Sequence, residues 1–345
     1  MAADIKSMDL PELQELCVSL GEKAFRGKQL FSWLHRQRVE SYAEMTNLPG
    51  ELREKLEAEY PIVRLQAVRE QVSKIDGTRK YLFALPDGNV IESVRMEYHH
   101  GASVCLSSQV GCRMGCRFCA STLDGKVRDL TASEMLEQVY QIQRMTGERV
   151  SSLVVMGSGE PFDNYDNLVR FLRLASDKDG LNLSQRAVTV STCGIVPKIR
   201  AFAEEHLQTG LAISLHASND EKRKKLMPVA NAYSIREILD ACRYYFDQTG
   251  RRVTFEYALA AGENDSETDA AELADLLRGL NCHVNLIPIN PVRERKYRRS
   301  GHEAVLRFQN KLENYGINVT IRREMGSDID GACGQLRKSY IETRG

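Results

Sequence analysis

Charge of one sign is what this sequence most plainly lacks. Its 345 residues carry 47 lysines and arginines against 47 aspartates and glutamates. That balance excludes a global positive field able to gather nucleic acid or anionic lipid, so any such partner has to be met by local patches. Long apolar runs are missing too. No stretch is long and apolar enough to span a bilayer, and the opening "MAADIKSMDLPELQEL" has no apolar core behind a basic start. The expectation is a cytoplasmic protein with no membrane partner. Cysteines number nine, an odd count, and apart from one cluster they are scattered, which argues against a disulfide framework and for a reducing compartment.

At roughly 150 residues per domain, the length allows two domains or one large domain with an appendage. Residues 1–62 show apolar positions at helical spacing, with Asp9 and Pro11 placed to start a helix and Gly21, Gly27 and Gly50 to break one. A small N-terminal helical accessory domain is expected there. Over 63–100, "KYLFAL", the turn residues Pro86, Asp87 and Gly88, and "NVIESVRMEY" predict a hairpin-like linker. From 101 to 345 strands alternate with helices. The strands are "SVCLSSQV", "SSLVVMGSG", "RAVTVSTC", "GLAISLHA", "RVTFEYALA" and "HVNLIPIN", closed by "NVTIRRE". This order predicts an α/β fold with a parallel sheet covered by helices. Six units and a closing strand fall short of the eight of a closed barrel, so a partial, open (βα)6-type barrel with a C-terminal extension is expected.

In such folds functional groups gather at the C-terminal ends of the strands. Here those ends are polar: Gly157 to Glu160, Ser191 and Thr192, Ser214 and His216, and Asn290. Any one of them is explained by turn-making, but together they point to a shared ligand site.

The loop after the first strand of this series contains "CRMGCRFC", which sets Cys112, Cys116 and Cys119 at C-x3-C-x2-C spacing. A structural zinc site takes four ligands in two separated pairs, and neither a fourth cysteine nor a histidine is near in sequence. A four-iron cluster held by three thiolates instead keeps one iron open, and that iron can chelate a small molecule.

This motif resembles that of the radical S-adenosylmethionine (SAM) enzymes. Read with "MGSGEPFDNYDN", "VSTCGIVPKI", "LAISLHASNDEKRKKLMP", "TFEYALAAGENDS", "CHVNLIPINPV" and "DIDGACGQL", the chain resembles the radical SAM RNA methyltransferases that act on carbon 2 of adenine, from about Asp76 to Leu336. The resemblance implies a [4Fe–4S] cluster on Cys112, Cys116 and Cys119, and two SAM molecules per turnover. Gly159, Glu160, Ser191, Ser214, Leu215, His216 and Asn290 would hold the SAM on the cluster. It implies 23S ribosomal RNA (adenosine 2503) and transfer RNA (adenosine 37) as substrates, with an external electron donor and no obligatory protein partner.

Carbon 2 of adenine lies between two electron-withdrawing nitrogens and is no nucleophile, whereas a thiolate can take a methyl group by displacement. By the resemblance Cys333 carries that methyl as S-methylcysteine, Cys105 resolves the protein–RNA adduct through a transient disulfide, and Glu92 removes the proton from carbon 2. On the residues alone, Glu92 reads as an outward strand carboxylate and the lone cysteines as packing. Cys17, Cys193, Cys242 and Cys282 are assigned to packing. The chain departs from the family's usual pattern with Ser158 in "MGSGEP" and Cys193 in "STCG".

RNA contact is expected from basic segments, namely 294–299, Arg223 to Lys225, Arg322 with Arg323, and the stretch holding Trp33, Arg36 and Arg38. Trp33 itself also fits a core position, at helical spacing from Leu30 and Leu34. Two rival expectations are a sister enzyme that methylates carbon 8 of the same adenine and a non-catalytic iron–sulfur RNA-binding protein.

Overall fold

A computed structural model describes residues 4–329 and 335–342. Helix α1 (Leu10–Ser19) starts where Asp9 and Pro11 predict it. Asp9 Oδ1 accepts the Glu12 N–H at 2.9 Å while Glu12 Oε2 accepts the Asp9 N–H at 2.8 Å. Gly21 ends it at φ +85°. Gly27 corrects the reading of that residue as a break, because it lies inside α2 (Phe25–Phe31), buried against α1. A Cβ there would come within 2.6 Å of the Gln14 backbone, so glycine is required for the two helices to touch. A π-helical turn (Ser32–Gln37) follows, and α3 (Gly50–Glu59) begins at Gly50. Trp33 packs partly buried on the core and donates its indole N–H to Asn47 Oδ1 at 2.6 Å.

Strands β1 (Gln66–Val72), β2 (Arg79–Ala84), β3 (Val90–Tyr98) and β4 (Gly101–Cys105) form an antiparallel meander. The expected hairpin is β2 and β3. It is not a separate ribbon, since β3 pairs directly with β4, the first strand of the parallel series. The segment expected as one strand, "SVCLSSQV", divides. β4 stops at Cys105, and β5 (Gln109–Gly111) pairs outside the main sheet with β6 (Lys126–Asp129). The break falls where side chains replace the ladder: Ser107 N–H donates to Gln138 Oε1 at 2.8 Å and Ser107 Oγ to the Glu92 carbonyl at 2.7 Å.

Then come α4 (Ala132–Thr146), β7 (Val150–Val155), α5 (Tyr165–Ser176), β8 (Val188–Thr192), α6 (Val196–Glu204), β9 (Gly210–Ser214), α7 (Asp220–Leu226), α8 (Ile235–Thr249) and β10 (Val253–Leu259). α9 (Glu267–Leu277), β11 (Cys282–Pro288), α10 (His302–Asn314), β12 (Val319–Ile321) and α11 (Gln335–Glu342) complete the order. Capping boxes at Thr131, Ser234 and Ser266 start α4, α8 and α9, and left-handed Gly147 and Gly250 end the first two.

Among the described residues ten strands form one sheet in the order β1-β2-β3-β4-β7-β8-β9-β10-β11-β12, parallel from β4 onward. β12 does not return to β4, so the barrel is open, as expected. Leu13, Leu30, Leu34 and Leu56 of the N-terminal helices belong to the same buried cluster as Val139 and Tyr140 of α4 and the barrel strands. A buried ion pair crosses that junction: Lys6 Nζ lies 2.6 Å from Glu137 Oε1, and Arg144 Nη2 lies 2.8 Å from the other oxygen.

Candidate active site at the strand ends

The three clustered cysteines sit on a loop held by its own backbone, by its Thr122 side chain, and by two remote residues, Leu226 through its carbonyl and Arg295 through its guanidinium. Cys112 N–H donates to the Gly125 carbonyl at 2.9 Å, and Arg117 N–H to the Leu226 carbonyl at 2.9 Å. Thr122 Oγ1 donates 3.0 Å to each of the Cys116 and Cys119 carbonyls, and Arg295 Nη2 reaches Thr122 Oγ1 at 3.0 Å. All three thiols line one cavity of about 280 Å³. Burial pushes Cys112 up to about 12. It pushes Cys116 well above the ordinary thiol value, with negative charge on Cys119 and Cys112 adding to the effect. Cys119 is raised by burial and partly restored by hydrogen bonds from Ser121 and Thr122. Three such thiols give up their protons together only to a positive centre.

Gly159, Glu160, Ser191, Ser214, His216 and Asn290 line this same cavity. Gly159 has to be glycine: at φ +110°, a Cβ would meet Gln109 Cβ at 2.6 Å and Ser108 Oγ at 2.7 Å. Glu160 is buried, with Oε1 accepting the Phe162 N–H at 3.0 Å and Oε2 the Cys193 N–H at 2.7 Å. Burial raises its pKa, and the Cys193 N–H opposes the rise. Gln109 ties the cluster hairpin to this segment. Its Oε1 accepts the Glu160 N–H at 2.8 Å while its Nε2 donates to Asp129 at 2.7 Å and Asp163 at 2.9 Å.

His216 Nδ1 accepts the Ala258 N–H at 2.9 Å. Burial, helped by Arg223, lowers its pKa to about 3, so the ring is neutral and its proton resides on Nε2. Leu215 is placed differently. Its side chain is in the hydrophobic core and not in the cavity lining, and its N–H donates to the Glu256 carbonyl at 3.1 Å.

Cys105 and Glu92 line a second cavity of about 190 Å³. It shares Met156, Gly157, Ile287, Asn290 and Arg322 with the first. Glu92 is not the outward carboxylate that its strand position suggests. It is 3% exposed, 3.2 Å from Lys80 Nζ, and its Oε1 accepts the Arg337 N–H at 2.6 Å. Burial raises the Cys105 thiol, with Arg322 and Lys80 opposing. Cys333 lies outside the described residues.

Several residues behave differently from their sequence reading. Cys17, Cys242 and Cys282 are buried, as packing predicts. Cys193 is buried but lines the cluster cavity and hydrogen-bonds to Glu160, so the fold brings a fourth cysteine, with His216, to where sequence proximity offered neither. Arg223, read as a phosphate contact, is 0% exposed. Its guanidinium donates to the carbonyls of Cys193 at 2.6 Å and Leu215 at 3.2 Å, bracing two strand ends. Glu256, inside the apolar strand "VTFEYAL", was missed, although a lone carboxylate in such a run is itself a signal. It is buried, lines the first cavity and accepts a hydrogen bond from Asn285 Nδ2 at 2.8 Å.

Known proteins are similar to this chain in sequence and fold. The signature described as the Radical SAM superfamily matches residues 106–277, and that of the ribosomal RNA large subunit methyltransferase N-terminal domain matches residues 3–62. A Lachnospira eligens protein named "Probable dual-specificity RNA methyltransferase RlmN" is 62% identical over 98% of this chain and 97% of its own. This chain belongs to that RNA methyltransferase family. A Clostridium perfringens protein of the same name is 53% identical over 99% of each chain. The crystal structure of a radical SAM methyltransferase from Sphaerobacter thermophilus, 45% identical, matches with a TM-score of 0.91 over 96% of this chain and 98% of the other.

Membership of the radical SAM superfamily implies SAM and an iron–sulfur cluster. The residues fit such a group. Three thiols line one cavity, and thiolate is the donor that holds iron–sulfur clusters. Among the described residues, no helix is long and apolar enough to cross a membrane.

Proposed function

We propose that this enzyme methylates carbon 2 of an adenine in RNA, at adenosine 2503 of 23S ribosomal RNA and adenosine 37 of transfer RNA, in the cytoplasm. Each turnover uses two SAM molecules and electrons from an external donor. The observation that carries the reading is that two cavities abut. One is ringed by Cys112, Cys116, Cys119 and polar strand ends, the other holds Cys105 and Glu92, and five residues are common to both.

When bound, a [4Fe–4S] cluster with SAM supplies a carbon radical strong enough to remove hydrogen from a methyl group. Cys112, Cys116 and Cys119 would hold the cluster. Glu160 and Gly159 would meet the methionine amino group, with Ser191, Ser214, Leu215, His216 and Asn290 holding the rest of the cofactor. Neutral His216 presents an Nε2–H donor whose orientation is set from behind by the Ala258 N–H. Leu215, with its side chain in the core and its N–H and carbonyl held by the Glu256 carbonyl and Arg223, would act by fixing the strand end that presents Ser214 and His216. Met114, Phe118, Met227, Ile289 and Val292 form the apolar part of the wall and keep water from the reacting atoms.

Cys333 would accept the methyl group as S-methylcysteine. After that carbon, one hydrogen atom poorer, is joined to the ring, Glu92 would take the proton from carbon 2 as the unpaired electron of the adduct leaves to an external acceptor. The Cys105 thiolate would then attack the Cys333 sulfur. The sulfur–sulfur bond forms and the sulfur–carbon bond breaks, its electron pair going to the bridging carbon, which takes up a proton to become the methyl group. The external donor reduces the disulfide before the next turnover. Lys80 keeps the Glu92 charge compensated in its buried position.

The test is nucleoside mass spectrometry after anaerobic incubation of reconstituted protein with SAM, reductant and unmodified ribosomal or transfer RNA, against both methyl standards. 2-Methyladenosine is expected. 8-Methyladenosine would assign the chain to the sister chemistry. Formation of 5'-deoxyadenosine without any methyladenosine would reject the substrate.

A further inference from the structure

We propose that a pocket between the N-terminal helices and the far end of the sheet is a phosphate-binding subsite for the backbone of the substrate RNA, an inference that rests on the RNA reading above. The pocket has a volume of about 440 Å³. Arg36 and Arg38 come to it from the π-helical turn and the residue just after it, Arg149 from the approach to β7, and Lys178 from the loop between α5 and β8. Among the described residues none of these four cations is in an ion pair. Among the described residues the one carboxylate in the lining, Glu148, is paired with Arg95.

Hydrogen-bond accounting points to an acceptor-rich ligand. Gln143, 5% exposed, lines the pocket, and its Oε1 accepts the Val150 N–H at 3.0 Å, which fixes which end of the amide is left over. Among the described residues its Nε2 has no acceptor, and neither has the buried Arg38 Nε. Nearby carbonyls are already used: Asn182 by Arg149 Nη2 at 3.0 Å, and Arg38 by Arg144 Nη1 at 2.8 Å. Orphaned buried donors are rare because each costs its full desolvation. Donors in surplus, beside four cations that form no ion pair among the described residues, describe a site for an anion with several oxygens.

Position selects the source of that anion. The pocket is at the N-terminal ends of β7 and β8, whereas the reaction cavity is at their C-terminal ends. At about 3.3 Å per residue, β7 alone separates the two by roughly 20 Å. That distance excludes the SAM and adenine in the cavity from the pocket. A polynucleotide whose base is in the cavity carries phosphates at many such distances, and in a chain with no net charge its backbone has to be met by local sites of this kind.

The experiment uses full-length, cluster-loaded enzyme. Two variants are compared with wild type: the surface triple Arg36→Ala/Arg149→Ala/Lys178→Ala, and Gln143→Glu, which keeps the acceptor for Val150 and replaces the free donor with a repelling oxygen. Filter binding of a 23S ribosomal RNA fragment and of transfer RNA is measured across a salt series. RNA-free cleavage of SAM and the thermal shift with inorganic phosphate are followed in parallel.

The expected result is about tenfold weaker RNA binding by the triple variant and a salt slope shallower by about 0.7–0.9 for each phosphate no longer neutralised, with SAM cleavage unchanged. Gln143→Glu should weaken binding in the same direction. Unchanged affinity and slope in both variants would overturn the subsite. So would a phosphate-dependent thermal shift that the variants abolish while RNA affinity stays constant, since the pocket would then serve a free anion. Methylation by the wild type, assayed alongside, tests the RNA reading separately: RNA binding weakened in the variants supports the subsite even if carbon 2 is not the position modified.

Discussion

Lys80 Nζ lies 3.2 Å from Glu92 Oε2 across two neighbouring strands, with both side chains closed off from solvent. Leu82 faces Glu92 and Lys80 faces Val94 in the antiparallel register, so the pair is a diagonal contact on one face of the sheet. Removing Lys80 takes the opposite charge from beside a buried carboxylate that keeps its hydrogen bond from the Arg337 N–H. Lys80→Met should therefore cost about 3–5 kcal/mol in urea unfolding, and a loss below about 1 kcal/mol would mean that the charge of Glu92 is carried elsewhere. Glu92→Ala should slow the resolution of the RNA adduct. An unchanged adduct lifetime would remove Glu92 from the reaction.

Cys105 is predicted to act as a slow, pH-dependent thiol. Burial holds its pKa above the ordinary value near 9, so the thiolate fraction at neutral pH is small and grows about tenfold per pH unit until the folded pKa is reached. Adduct resolution, followed on denaturing gels after rapid quenching, should rise steadily between pH 7 and pH 9, and a plateau below pH 8 contradicts this environment. In Arg322→Ala the rate should fall, because Arg322 opposes the upward shift. Cys105→Ala should leave the RNA covalently attached, and a clean gel under turnover counts against the resolving role.

Among the described residues four cysteines line the cavity, of which three are assigned to iron. Alanine at Cys112, Cys116 or Cys119 should each abolish bound iron and the visible absorption of the cluster. Cys193→Ser should retain both, since the Cys193 thiol is engaged with Glu160. Iron lost from the Cys193 variant would make that residue a ligand. Cys333→Ala should keep the cluster and lose methyl transfer, and retained methylation would falsify its role as carrier.

Two buried histidines predict acid sensitivity. His35, whose Nδ1 is 3.0 Å from the Tyr140 hydroxyl, is lowered from 6.5 to about 3, chiefly by burial and secondarily by Lys6. His216 is lowered to the same value. Below pH 6.5 the unfolded chain takes up protons that the folded one refuses, so stability is complete above that pH and falls as pH drops toward 3. By pH 5 each histidine should have cost about 2 kcal/mol. Urea unfolding of His35→Phe should show a fall between pH 7 and pH 5 smaller than that of wild type by this amount. An identical fall would mean that His35 is protonated in the folded protein.

Much of this architecture was legible in the sequence because its signals are local. The spacing of Cys112, Cys116 and Cys119 and the polar residues after each apolar strand need only neighbouring positions to be seen, and the fold gathers them as expected. Misreadings arose where tertiary context reversed a local preference. Arg223 sits among Lys222, Lys224 and Lys225 and looks solvated, yet it shares the inner face of α7 with Leu226, where burial and carbonyl acceptors await it. Gly27 looks like a helix breaker but answers to Gln14 on another helix. Cys193 and His216 are far from the cluster in sequence, and only the parallel order of β8 and β9 beside β7 brings them to it.

A sheet that does not close has two edges, and exposed edges invite pairing with other chains. On one side β1 presents Arg69, Glu70 and Gln71, and its register slips between Ala67 and Arg69. Charge and a bulge together make that ladder a poor template. The opposite edge, β12, is three residues long. The opening of the barrel thus carries protection against aggregation at both of its borders, the hazard being greatest while the chain is still folding and its long-range strand pairs are incomplete.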